Sequence, residues 1–258
     1  ESDGFQIGTN NTVNVGSGTY VAWNWKKSAT AGFNIVGWTG DDDGMGFSAS
    51  PQAITHGLGV TPEMIIAKNR TANSSTSGDW AVWHKDLSSG SYLVLNDNAG
   101  EASWGDALFS SIGATTASVS NDTMSSSIYL NYADNTGGYG DDDTYIGYFF
   151  ASVEGYSKVG SINSSSSSAF CFLGFRPSFI LAKRSDASGN WLMFDDKREG
   201  YNVDNDDLMA NSTAIEATTD HIDILSNGFK IRTSDSDLNS GTVIYYAVGQ
   251  SSKYSNAR

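Results

Sequence analysis

Gly59-Val60-Thr61-Pro62-Glu63-Met64-Ile65-Ile66-Ala67-Lys68 returns later in the chain as Gly174-Phe175-Arg176-Pro177-Ser178-Phe179-Ile180-Leu181-Ala182-Lys183, an offset of 115 residues. Each copy sets a short apolar run directly after a proline. Proline cannot donate to a strand ladder and so sits at a strand's start, and the run that follows reads as a core strand of a sandwich. Working outward, Asp79-Trp80-Ala81-Val82-Trp83 matches Asn190-Trp191-Leu192-Met193-Phe194 at an offset of 111. Upstream, Gly32-Phe33-Asn34-Ile35-Val36-Gly37 matches Gly155-Tyr156-Ser157-Lys158-Val159-Gly160. Order and spacing hold throughout, which is the mark of a duplicated unit.

A third, partial copy lies at the start. Gly4-Phe5-Gln6-Ile7-Gly8-Thr9 matches Gly228-Phe229-Lys230-Ile231-Arg232-Thr233, and Gly18-Thr19-Tyr20-Val21 matches Gly241-Thr242-Val243-Ile244. The expected organisation is a closing hairpin of a preceding unit over 1–31, a first full unit over 32–154 and a second over 155–258. Either the protein was once longer or this hairpin completes a neighbour's sheet.

The expected fold is all-β, as tandem β-sandwich units of jelly-roll-like type. The chain has 258 residues, with 28 Gly, only 3 Pro and 12% aromatics. Ser, Thr, Asn and Gly between short apolar runs favour turns over helices. Ile222 to Leu225 and Phe229 to Thr233 read as strands joined by a hairpin turn at Ser226-Asn227-Gly228, and Thr242 to Val248 as another. Only Asp206 to Asn211 and Asn98 to Leu108 have room for a helical turn.

The formal net charge is -14. Such a field repels a phosphate backbone, which argues against nucleic acid as a partner. No apolar stretch reaches the length of a membrane span, so no membrane insertion is expected. Cys171 is the single cysteine, within Ala169-Phe170-Cys171-Phe172-Leu173. It leaves no internal disulfide and no cysteine zinc site, and it reads as a buried strand residue.

His56-Gly57-Leu58-Gly59 through Lys68, Trp80-Ala81-Val82-Trp83-His84-Lys85, Gly174 through Lys183, Ser226-Asn227-Gly228 through Thr233 and Ser255-Asn256-Ala257-Arg258 resemble a family of repeat domains in tail and other virion proteins of bacteriophages, especially phages of marine bacteria. The resemblance covers nearly the whole chain. It implies a non-enzymatic structural protein on the virion surface, in a tail fibre, spike or capsid decoration. The partners expected are other virion proteins and further copies of the chain. A host-recognition adhesin that binds surface glycans is the alternative, and a polysaccharide depolymerase ranks below it.

The candidate sites are few. Asp41-Asp42-Asp43 and Asp141-Asp142-Asp143 are runs of three carboxylates, which converge only in a loop because strand side chains alternate. Calcium takes several oxygen ligands from such loops, so calcium is the one cofactor the pattern points to. Asp204, Asp206 and Asp207, and Asp235 with Asp237, are weaker versions. Trp80 and Trp191 recur between copies and read as core; Trp23 and Trp25, alternating along one strand, read as packing. Trp38 and Trp104 lie beside loops, have no counterpart in the second unit, and are the candidates for a ligand contact. His84 stands where the second unit has Asp195, and His56 reads as a turn residue. There is no Gly-x-Ser-x-Gly elbow and no phosphate loop, and no catalytic residue is expected.

Overall fold

Both copies of the proline-led run are strands in the computed structural model, which describes residues 5–41, 51–71, 78–103, 108–121, 128–131, 143–164, 169–198 and 206–250. The first half holds β1 (Phe33–Thr39), β2 (Gln52–Thr55), β3 (Met64–Asn69), β4 (Trp80–His84), β5 (Leu93–Val94), β6 (Phe109–Ser110), β7 (Thr116–Val119) and β8 (Thr144–Phe150). The second holds β9 (Ser157–Asn163), β10 (Phe170–Phe172), β11 (Phe179–Arg184), β12 (Trp191–Asp195), β13 (Leu208–Met209), β14 (Ile222–Leu225), β15 (Gly228–Ile231) and β16 (Thr242–Val248).

The two halves share one topology. A five-stranded sheet ordered β1-β8-β3-β4-β5 is answered by β9-β16-β11-β12-β13, and a three-stranded sheet β2-β7-β6 by β10-β15-β14. Every pairing is antiparallel, and among the described residues no strand of one half pairs with a strand of the other. In each half the small sheet packs on the large one. Ile54, Phe109, Ala117 and Val119 meet Ile65, Ala81, Tyr145 and Phe149 in the first. Cys171, Ile224, Phe229 and Ile231 meet Ile180, Leu192, Val243 and Tyr245 in the second.

A third core joins the halves. The outer faces of the two large sheets lie against each other through Met64, Ile66, Val82 and Phe150 on one side and Phe179, Leu181, Trp191 and Tyr246 on the other. The four layers thus run three, five, five, three strands. This order explains why β16 is buried from Val243 through Val248 without alternation. Val243, Tyr245 and Ala247 face its own sandwich, while Ile244, Tyr246 and Val248 face the other half. A strand covered on both faces has no polar side to show.

Two expectations are corrected. Residues 5–27 form no strand, and the strands they match, β15 and β16, lie in different sheets and do not make a hairpin with each other. The hairpin of this region is β14–β15, with Leu225 opposite Gly228. Asp206 to Asn211 contains β13 and no helical turn, because Leu208 and Met209 pair with Met193 and Leu192. No helix among the described residues is long and apolar enough to cross a membrane.

Candidate functional site

Asp41 and Asp143, one from each acidic run, arrive at one end of a sheet although about a hundred positions separate them. β1 ends and β8 begins as an antiparallel pair, with Thr39 opposite Thr144. Just beyond, the Gly40 amide donates to the Asp143 carbonyl at 2.9 Å, and the Asp41 amide to Asn131 Oδ1 at 2.9 Å. Asp143 is buried, and its carboxylate already accepts from Asn69 Nδ2 at 2.6 Å and Thr71 Oγ1 at 3.0 Å. Asp42, Asp43, Asp141 and Asp142 lie outside the described residues. Among the described residues no three His, Cys, Asp or Glu side chains converge as a metal site.

Trp38 does not stand free for a ligand. Its ring stacks on Tyr145 with centroids 5.6 Å apart, its indole N–H donates to the Leu130 carbonyl at 2.8 Å, and it packs on the first core. An indole at a sheet end gains more from burying one face and satisfying its N–H than from exposure. Trp104 lies outside the described residues. Trp23 and Trp25 do pack, although not on a strand: they contact Phe179 at 5.5 and 5.0 Å, and Trp23 Nε1 donates to Asp195 Oδ2.

These two indoles also wall a cavity of about 400 Å³ between the large sheets, with Trp80, Tyr148, Phe179 and Tyr246 among its other linings. No charged side chain lines it. Its size is that of a small-molecule site, yet an active site adds convergent polar groups of shifted pKa, and a sugar site adds hydrogen-bond donors and acceptors. This cavity is lined mainly by apolar and aromatic side chains, with Asn24 among them.

Asp207, singled out in the sequence only as part of a weak acidic cluster, pairs with His221. Asp207 Oδ1 and His221 Nε2 are 3.4 Å apart, and both residues are buried. Burial pushes the Asp207 carboxyl above its ordinary range. Neither Asp207 oxygen nor His221 Nδ1 has a hydrogen-bond partner among the described residues. The first half shows what the fold alone would put there. The Asp207–Ala217 bridge repeats the Tyr92–Ala102 bridge, and Arg232 donates to the His221 carbonyl as Ser120 donates to that of Leu108. Asp207 and His221 therefore take the places of Tyr92 and Leu108, two apolar core residues. Sequence matching missed them because the repeat is obscured in these short strands.

A surface feature was missed too. Phe170 and Phe172 flank Cys171 on β10, an edge strand, and are 45% and 59% exposed while Cys171 is buried. Two residues apart on a strand, they share a face about 7 Å apart. The family model of DUF7483, a domain of unknown function, matches residues 1–251, and the chain belongs to that family. No curated protein and no solved structure matches it.

Proposed function

We propose that this member of the DUF7483 family is a non-enzymatic structural protein of a bacteriophage virion, displayed on the particle surface in a tail fibre, spike or capsid decoration. The observation that carries the reading is the shared core between the two sandwiches. Two units are fused through large apolar side chains, and the cavity between them has no charged lining among the described residues. This is the construction of a rigid spacer. The acidic balance suits a surface bathed in salt, where net charge keeps particles apart. The proposed location follows the resemblance of the sequence to virion repeat domains. Gold-labelled antiserum against the chain, applied to purified particles, is expected to decorate one structural feature at a regular copy number. Particles without label, while the chain remains in the host lysate, would refute the reading.

A second reading, host-glycan binding, is favoured by Phe170 and Phe172, whose exposed rings offer a stacking surface. Glycan-array binding that disappears in Phe170→Ala/Phe172→Ala supports it; an array silent at millimolar sugar removes it. Neither reading predicts release of reducing ends from host polysaccharide.

A further inference from the structure

Residues 5–25 carry the features of β15 and β16 without their surroundings. The residue matches are Gly4 to Thr9 on Gly228 to Thr233, and Gly18 to Val21 on Gly241 to Ile244. The structure adds a conformational match between these two stretches. Asn10 Oδ1 accepts the Thr12 amide at 2.9 Å and the Asn10 carbonyl accepts the Val13 amide at 3.1 Å. Between β15 and β16, Asp235 Oδ1 accepts the Asp237 amide at 2.9 Å and the Asp235 carbonyl the Leu238 amide at 3.2 Å. The exit repeats as well. The Ser28–Phe33 bridge closes around Gly32 at φ 69°, and the Val153–Ser157 bridge, after β8, around Gly155 at φ 74°. The segment leads into the first unit as β8 leads into the second.

What differs is burial. Phe229, Ile231 and Leu238 are 2%, 0% and 1% exposed, whereas their counterparts Phe5, Ile7 and Val13 are 61%, 47% and 47% exposed. Val243 is buried, and its counterpart Tyr20 is 53% exposed. Trp23 and Trp25 align with Tyr246 and Val248, which face the core between the large sheets, and all four contribute to that core. The positions that would face a sandwich interior of their own are left without one, and Val21, the counterpart of Ile244, is 38% exposed as well.

We propose that residues 5–25 are a strand pair donated to a third sandwich of this same fold, one that contributes six strands equivalent to β9–β14 and lacks its last two. Phe5 and Ile7 enter the small sheet and Tyr20 the large one, so that backbone pairing provides affinity and alternate side chains provide specificity. The inference is independent of the virion reading, since it concerns strand completion wherever the protein resides.

The second unit's own six strands are the probe. In the full chain, residues 229–248 are replaced by a copy of residues 5–25 or by a scrambled version, with Gly228 kept. The graft is expected to melt in one cooperative transition with a β-type spectrum, and the scramble to lack both. Adding Phe→Asp, Ile→Asp and Tyr→Asp at the grafted copies of positions 5, 7 and 20 is expected to lower the graft's Tm by about 10 °C or more. The same substitutions at Phe5, Ile7 and Tyr20 of the unmodified chain should move Tm by only about 1 °C, as for surface changes. A graft no better than the scramble overturns the proposal. So does a large loss of stability from the substitutions in the unmodified chain, which would give these side chains a partner within it.

Discussion

His84 and Asp195 close equivalent turns with different chemistry: His84 Nδ1 accepts the Asp86 amide at 3.1 Å, and Asp195 Oδ1 accepts the Lys197 amide at 2.9 Å. The position requires an acceptor, not a particular residue. For His84 that means a neutral ring, and burial holds its pKa down at about 4, against 6.5 for the free side chain. Between those values the unfolded chain binds a proton that the folded one refuses, so stability falls as pH drops from 6.5 toward 4. The loss is on the order of 3 kcal/mol at 1.36 kcal/mol per pH unit. His84→Asn keeps an acceptor and should remove that share; denaturation at pH 7.5 and 4.5 reads it, and an unchanged slope would refute the assignment. Asp207 and His221 make a sharper case, because their twins Tyr92 and Leu108 show that the fold accepts an apolar pair there. His221→Ala removes the ring that lies 3.4 Å from the buried Asp207 carboxyl and should cost about 1–3 kcal/mol, whereas Asp207→Tyr/His221→Leu should be neutral or stabilising. Urea titration separates the two; equal losses in both variants would mean that the polar pair itself holds the site together.

Strands were legible from sequence in proportion to their length and cover. β3 and β11 announce themselves because they are buried on both faces, so the apolar run is unbroken and follows a proline. β5, β6 and β13 have two residues each, too few for any period to register. β10 was legible in part. The alternation Phe-Cys-Phe does bury Cys171, but only the sheet order reveals that β10 is an edge whose outer side is uncovered. The acidic runs were legible as residues, while the meeting of Asp41 and Asp143 at one sheet end depends on the β1–β8 pairing, which local pattern does not encode. That edge also explains Gly228, opposite Phe172 in the ladder. A Cβ at this position would lie 2.0 Å from the Cys171 carbonyl oxygen. Gly228→Ala should therefore push β10 off β15 and cost about 1–3 kcal/mol, as overpacking does. Faster hydrogen exchange at Cys171 and Phe172 is the local readout, and exchange unchanged from the parent would contradict the steric account.

At the scale of the whole molecule the repeat does not produce two beads on a string. Each unit has a small sheet to cover the inner face of its large sheet, but nothing of its own covers the outer face, and each half supplies that cover for the other. Polar contacts fix the register of this union. Trp191 Nε1 donates to the Val94 carbonyl at 2.9 Å, Lys183 Nζ to the Asn98 carbonyl at 3.2 Å, and the Glu101 amide to the Ser185 carbonyl at 2.7 Å. Lys183 is fully buried, and its first-unit counterpart Lys68 instead sits over the Trp80 ring at 4.9 Å, so the contact at Lys183 belongs to the union and not to the unit. Separating the halves must then uncover Phe179, Leu181, Trp191, Ile244, Tyr246 and Val248 together. An apolar face of that kind exceeds what a monomer ordinarily leaves in water, and it drives association. The second unit expressed alone, residues 155–250, is accordingly expected to bind a hydrophobic dye or to self-associate, and to melt below the intact chain. The intact chain should melt in a single transition, with calorimetric and van't Hoff enthalpies equal, as for one cooperative body. Two resolved transitions in the intact chain, together with a monomeric, dye-silent second unit, would show that the shared core contributes little and that each sandwich stands by itself.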